Sequence, residues 1–225
     1  MNGTTVDDCW IIETEEHEEK YRQATHGMGK AKGRSVCARR PGDIIRLGDF
    51  MIRKATDEDI ASIAAIYDLV LKQEENGLAS IGWKRGVYPT EDTALQGVLR
   101  GDMFVYEDDQ THSISAAAII NHIQVPSYAD GNWSIEADGD EVLVLHTLVV
   151  NPQEAGKGIG TVFVDFYEQA AKENSCKTLR MDTQAKNAAA RKLYHKLGYT
   201  EIGIVPCDFN GIQGIQLVLL EKVLK

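Results

Sequence analysis

Between Met51 and Lys225 the spacing of apolar residues changes repeatedly, and each change marks an element. A short strand, Met51–Lys54, leads to Thr56, with Asp59 three residues on as its partner in an N-terminal cap. Ile60, Ile63, Tyr67, Val70 and Leu71 then recur every three to four residues and line one face of a helix. Pro89-Thr90 opens a second helix, which runs to about Arg100. Met103–Glu107 and Ser113–Ile123 read as strands around a turn at Asp108–His112, and Val125–Glu141 as a polar loop. Val142–Val150 is leucine-rich and β-branched throughout, which predicts a strand buried on both faces. Val162, Phe163, Phe166, Tyr167 and Ala170 return to helical spacing. Lys177–Thr183 reads as a strand, and Asn187–Leu197 as a helix stopped by Gly198. Tyr199–Val205 and Gly214–Val223 close the pattern as strands joined across Cys207–Gln213, where Asn210-Gly211 signals a turn. The predicted order is β α α β β β α β α β β.

Residues 1–50 lack such a pattern. An acidic stretch, Thr14–Glu19, passes into a basic, glycine-containing one ending near Arg34, with few large apolar residues at any period. The expected division is an N-terminal extension over 1–50, outside the core, and one domain over 51–225. Thr14–Ala24 would form a short surface helix at most.

Composition narrows the class. A chain of 225 residues with 43% hydrophobic and 26% charged residues is an ordinary globular protein, large enough to need no disulfides. The four cysteines stand far apart, with neither a CxxC pair nor metal-ligand spacing, and read as reduced thiols of a cytoplasmic protein. No run approaches membrane-spanning length. The net charge of −10 argues against a nucleic-acid surface and mildly favours cationic partners such as amines.

The chemistry gathers around Gly156, Gly158 and Gly160, three alternate glycines between the buried strand and a helix. Such a loop lets backbone N–H groups approach an anion closely, and the helix start adds partial positive charge. It is not a P-loop: Asn151 occupies the first glycine position, and Gly158 follows Lys157 where Ser or Thr belongs. A dinucleotide fingerprint fits poorly, because Thr161 stands at the third glycine position and Asn151–Ala155 intervene after the strand. Asp182, ending the next strand, would suit its ribose-binding acid.

Gln153, Gly156 and Gly158 make Q-x-x-G-x-G, which resembles the acetyl-CoA loop of the GNAT superfamily of N-acyltransferases. A second segment, Asn187 through Tyr194 to Gly198-Tyr199, resembles that family's next helix and strand, and the element order is the family's order over nearly all of 51–225. The resemblance implies a mixed, mostly antiparallel sheet of six or seven strands with four helices. It also implies acetyl-CoA as co-substrate. Its pyrophosphate would lie on Gln153, Glu154, Ala155, Gly156, Lys157, Gly158, Ile159, Gly160 and Thr161, with Ala155, Gly156, Gly158 and Gly160 as amide donors. Leu148, Val149 and Val150 would pair with the pantetheine arm where the sheet splays, and Asn187 would touch it. Tyr194 falls where the family often carries the general acid.

Acyl transfer to an amine also needs a base. Period-2 alternation puts His146 on one face with Leu148 and Val150. In the family this strand borders the acetyl group, and some members relay a proton through a histidine at this position. Their second histidine is absent, since Val144 stands there. A histidine in an apolar strand is otherwise a hydrogen-bonded core residue. Glu136, Asp138, Asp140 and Glu141 are alternatives from the preceding loop; their spacing is not that of a calcium loop. Trp83 and Tyr88, with Tyr128, Trp133 and Glu136, lie in the connections that form the family's acceptor pocket, or else cover the rim of the core. The expected function is direct acetyl transfer to a small-molecule amine in a ternary complex, without a metal. A homodimer is compatible with it. Two other readings stay open: a non-catalytic acyl-CoA-binding domain and a Rossmann-type enzyme.

Overall fold

A computed structural model of the chain describes residues 45–47, 50–209 and 212–225. The expected Thr14–Ala24 helix, Cys9, Cys37 and the Asn210-Gly211 turn lie outside the described residues. The elements are β1 (Ile45–Leu47), β2 (Phe50–Lys54), α1 (Ile60–Glu75), α2 (Glu91–Arg100), β3 (Met103–Asp108), β4 (Ile114–Asn121), β5 (Val142–Val150), α3 (Ile159–Glu173), β6 (Thr178–Gln184), α4 (Ala188–Lys196), β7 (Thr200–Phe209) and β8 (Ile212–Val223). From β2 onward this is the order that the periodicity predicts.

One sheet runs β1-β2-β3-β4-β5-β6-β8-β7. Every neighbouring pair is antiparallel except β5 and β6, which run parallel. The sheet reaches back past Met51: Ile45, Arg46 and Leu47 pair with Ile52, Met51 and Phe50. Three residues are too few for alternation to register. The local signals are a β-branched start, Ile44-Ile45, and Gly48-Asp49 as a two-residue turn sequence. Phe50 then stacks on Tyr106 with ring centroids 5.0 Å apart.

Helices α3 and α4 cover one face of the sheet. Phe163, Val164 and Tyr167 are fully buried there against Leu143, Leu179 and Val218. Emptying the Phe163 site by substitution with Ala would cost about 3–5 kcal/mol. Helices α1 and α2 cover the other face, with Ile63, Tyr67 and Ala94 on Val105, Ala117 and Ile119. The 125–141 segment, which reads as polar loop, contains two single 3₁₀ turns, Pro126–Asp130 and Gly139–Glu141. It closes over β8: the Ser134 amide donates to Glu221 Oε2 at 2.7 Å, and Trp133 lies over the Arg180 guanidinium at 4.0 Å. Of the loop acids, Glu141 is engaged in structure: it accepts from the Asp138 amide and pairs with Lys177 at 2.5 Å.

Candidate active site

The site begins where two parallel strands part. β5 and β6 pair from Val142↔Thr178 to Leu145↔Met181 and no further. Beyond that point each keeps only its outer neighbour: β6 stays on β8 through Gln184↔Leu217, and β5 stays on β4 through Ala116↔Val150. Tyr167 stands at the fork, its hydroxyl reaching the carbonyls of Leu143 at 2.6 Å and Arg180 at 3.0 Å.

Thr147 explains the parting. Its φ of 51° is left-handed, and the register of β5 on β4 slips there, from Ile119↔His146 to Ala117↔Val149. The extra residue bends the strand away from β6, as a β-bulge does. It also reverses the phase of the side chains. Leu143, Leu145, Leu148 and Val150 belong to the α3 face, whereas Val149 turns to α1 and His146 pairs across with Ile119 on that same side. The expected shared face of His146, Leu148 and Val150 is therefore corrected: His146 faces away from the other two.

The opened wedge is a cleft that opens to solvent. His146, Leu148, Asn187, Tyr194, Tyr88 and Trp83 all line it, so the structure brings these six sequence candidates together. Tyr88 arrives from the α1–α2 connection, and its hydroxyl bonds Thr147 Oγ1. Tyr194 projects from α4; burial pushes its phenol well above the usual range, with the Asp182 charge adding to the shift. Its hydroxyl has no protein partner among the described residues. Asn187 caps α4 by accepting from the Ala190 amide at 3.2 Å.

Asp182 also lines the cleft, from the end of β6. The Tyr128 hydroxyl donates to its Oδ2 at 2.9 Å. Burial raises its carboxyl to about 6 despite that bond. The sequence offered it only as a ribose-binding acid. The signal for a site role was its place at the C-terminal end of a strand next to the glycine-loop strand.

His146 lies in a different environment. Its Nε2 meets Asn121 Oδ1 at 3.1 Å, and Asn121 Nδ2 donates to Asp102 at 2.9 Å. The Ile123 amide also donates to Asn121 Oδ1, which fixes that atom as an acceptor and puts the hydrogen on His146 Nε2. Burial lowers the imidazole to about 3. It is neutral at physiological pH and a weak base, far from the 6.5 expected of a free side chain.

Trp133 and Glu136 stay outside the cleft. The Trp133 indole donates to the Tyr128 carbonyl at 2.7 Å, and Glu136 is exposed. Tyr128 reaches the cleft only through Asp182.

At the glycine loop, Gly156 and Gly158 have φ of 83° and 81°, which disfavours any side chain, and a Cβ at either would meet nothing within 4 Å. Their outer side is open. Gly158 precedes α3, whose first three residues, Ile159, Gly160 and Thr161, have no earlier helical carbonyl to bond. These amides, with those of Gly156 and Gly158, have no acceptor among the described residues. The Ala155 amide is engaged instead, donating to the Pro152 carbonyl at 3.3 Å. Lys157 pairs with Glu154. Gly160 has a separate role: its Cβ would press on Leu193 at 3.3 Å, so it lets α3 and α4 meet. The amides of Gly156, Gly158, Ile159, Gly160 and Thr161 thus offer unpaired donors suited to a pyrophosphate, whereas the Lys157 amide donates to the Glu154 carbonyl at 3.4 Å. Among the described residues no group of His, Cys, Asp or Glu could hold a metal ion.

An open, mostly antiparallel sheet split between its two parallel strands, with an anion-binding loop at the split, defines an acyl-CoA transferase fold rather than a doubly wound dinucleotide fold. Residues 64–199 match the acetyltransferase (GNAT) family, and the chain belongs to it. It is similar to an uncharacterised N-acetyltransferase of Methanocaldococcus jannaschii, 29% identical over 76 residues. That match spans 34% of this chain and 34% of the relative, so about a third of the relative's length is covered. A GNAT-family acetyltransferase from Streptococcus agalactiae 2603 shares the fold with a TM-score of 0.64 at 23% identity, over 80% of this chain and 99% of that one. The structure of yncA from Salmonella typhimurium, solved with its cofactor acetyl-CoA, superposes with a TM-score of 0.53 at 19% identity, over 79% and 95% of the two chains. Among the described residues no helix is long and apolar enough to cross a membrane.

Proposed function

We propose that the protein transfers an acetyl group from acetyl-CoA to the amine of a small molecule, by direct attack in a ternary complex in the cytoplasm. Acetyl-CoA would supply the activated thioester. The amides of Gly156, Gly158, Ile159, Gly160 and Thr161 would hold its pyrophosphate, and Leu148 and Asn187 would flank its arm. Asp182 takes the proton from the acceptor's ammonium. Tyr194 gives its phenolic proton to the departing sulfur. We assign the base to Asp182 rather than His146, because a carboxylate at about 6 is ionised at neutral pH and still basic enough to accept a proton, whereas an imidazole at about 3 is not. His146 then serves to fix the bulged strand through Asn121. The carrying observation is that Asp182 and Tyr194, from different elements, converge on one cleft, while Gly160 of the loop meets Leu193, the neighbour of Tyr194.

The test is calorimetry with acetyl-CoA on the wild type and on Gly158→Glu, with circular dichroism to confirm folding. The substitution forces a side chain into a left-handed position and adds a negative charge beside the donors. Binding by the wild type and at least a tenfold loss in the folded variant are expected. Equal affinity would mean that the pyrophosphate lies elsewhere.

A further inference from the structure

We infer that the acceptor is a primary amine carried on an aromatic or other apolar group, with no carboxylate of its own. This rests on the acetyl-transfer reading above and concerns the half of the same cleft away from the glycine loop.

Three aromatic rings wall that half. Tyr88 stands at the centre, edge-on to Trp83 at 5.8 Å and to Phe209 at 4.8 Å. Trp83 and Tyr88 come from the α1–α2 connection, and Phe209 from the end of β7, so the contact joins two otherwise separate parts of the chain. Ile215 and Leu217 of β8 also line the cleft. The walls are fixed in place: Tyr88 is 8% exposed and tied to Thr147. Rigid aromatic walls favour an apolar guest, because desolvating an alkyl or aryl group there is favourable and little side-chain freedom is lost.

Asp182 lines this space, where an ammonium would dock, and His146 is neutral. The charge of Arg100, which bears on both Tyr88 and His146, is paired with Asp102 at 2.9 Å. Among the described residues lining the cleft none is lysine or arginine. The nearby guanidinium of Arg85 turns outward to Asp68 at 2.6 Å and Glu75 at 2.7 Å, and Arg191 pairs with Glu201 at 2.7 Å. An acceptor carboxylate would enter unpaired, beside Asp182, at a heavy desolvation cost. At the edge of this space Gly82 packs on the Gln184 side chain, where a Cβ would lie 2.3 Å from Nε2.

Matched ligands test this on the full-length protein. Calorimetry in the presence of CoA would compare 2-phenylethylamine with phenylalanine, which adds only a carboxylate, and with ethylamine and spermidine. Thiol release from acetyl-CoA would be measured with the same four compounds. Binding and kcat/KM about 10–100-fold better for 2-phenylethylamine than for phenylalanine, ethylamine or spermidine are expected. Trp83→Ala and Phe209→Leu should each raise its KM about tenfold while leaving kcat within a factor of about three and acetyl-CoA affinity unchanged. Equal or better use of phenylalanine or spermidine, or no preference among the four, with acetyl-CoA still bound, would overturn the acceptor class alone. Failure to bind CoA or acetyl-CoA at all would instead overturn the transferase reading beneath it.

Discussion

Asp182 and His146 show how the same physical effect, burial, gives two residues opposite roles. Burial disfavours charge, so it lifts a carboxyl and depresses an imidazole. The lifted carboxyl becomes a usable base and the depressed imidazole stops being one. Stability carries a signature of the second shift. The unfolded chain binds a proton on His146 below about 6.5, whereas the folded chain does so only near 3. The stabilisation is therefore present above 6.5 and is lost as the pH falls toward 3. His146→Gln, which can still donate to Asn121, should lose less stability than the wild type between pH 7 and 4, read from urea midpoints. Parallel losses would mean that His146 titrates normally. The variant should also keep the wild-type pH–rate profile, where a catalytic histidine would not. Tyr194→Phe should lower kcat by roughly 10²–10⁴-fold with acetyl-CoA affinity nearly unchanged, since only the departing sulfur's proton is lost. An unchanged kcat, with chemistry rate-limiting, would leave Tyr194 as a packing residue on Tyr199, 6.1 Å away.

Elements were legible where their period was long. The helices follow from spacing, because burial of one face enforces it, the strand Val142–Val150 from its leucine and β-branched content, and the Thr90 cap from its residue type. Two features were not legible. Thr147 carries no glycine or proline to announce a bulge, and a β-branched residue is a poor guess for a left-handed position; its conformation is set by tertiary contacts, including Tyr88. Phe209 reads as part of a loop, because β7 runs on to Phe209 and β8 starts at Ile212 with little alternation at those ends. The bulge decided which candidates share a face, and Phe209, at the end of β7, lines the cleft. At the other edge of the sheet, β1 sets a practical boundary. A chain starting at Ile44 should melt within about 2 °C of the full-length protein. One starting at Met51, which lacks β1 and the Phe50–Tyr106 stack, should melt several degrees lower, since about 1 kcal/mol shifts the midpoint by roughly 2–4 °C at this size. Equal midpoints for the two would make Met51 the true start of the folded unit.

At the scale of the whole molecule, the proposed reaction would draw its two reactants to one seam from two halves of the fold. The strand β5 and helices α3 and α4 present the loop amides and Tyr194. The α1–α2 connection and the β7–β8 hairpin present the aromatic walls. Asp182, at the end of β6, stands where the two meet, held by Tyr128 at 2.9 Å. The glycine loop and the Asn187–Tyr199 segment made the first half readable, since backbone chemistry leaves a glycine pattern. Side-chain convergence across distant elements leaves none, which is why Trp133 and Glu136 looked as plausible as Tyr88, and why Asp182 did not stand out.

The decisive measurement is the pH dependence of kcat/KM for wild type and Asp182→Asn, with acetyl-CoA affinity and melting temperature measured alongside. Wild-type kcat/KM should rise as the pH passes through about 6, where Asp182 loses its proton. The variant should lack that limb and fall about 10²–10⁴-fold, yet bind acetyl-CoA normally. A folded-state carboxyl raised from 3.8 to about 6 adds its full stability below the lower value and loses it as the pH rises from there through 6. Asp182→Asn should therefore melt several degrees higher at pH 7.5 while losing turnover. A variant that keeps both the wild-type rate and the limb near pH 6 would contradict the placement of the chemistry at this cleft.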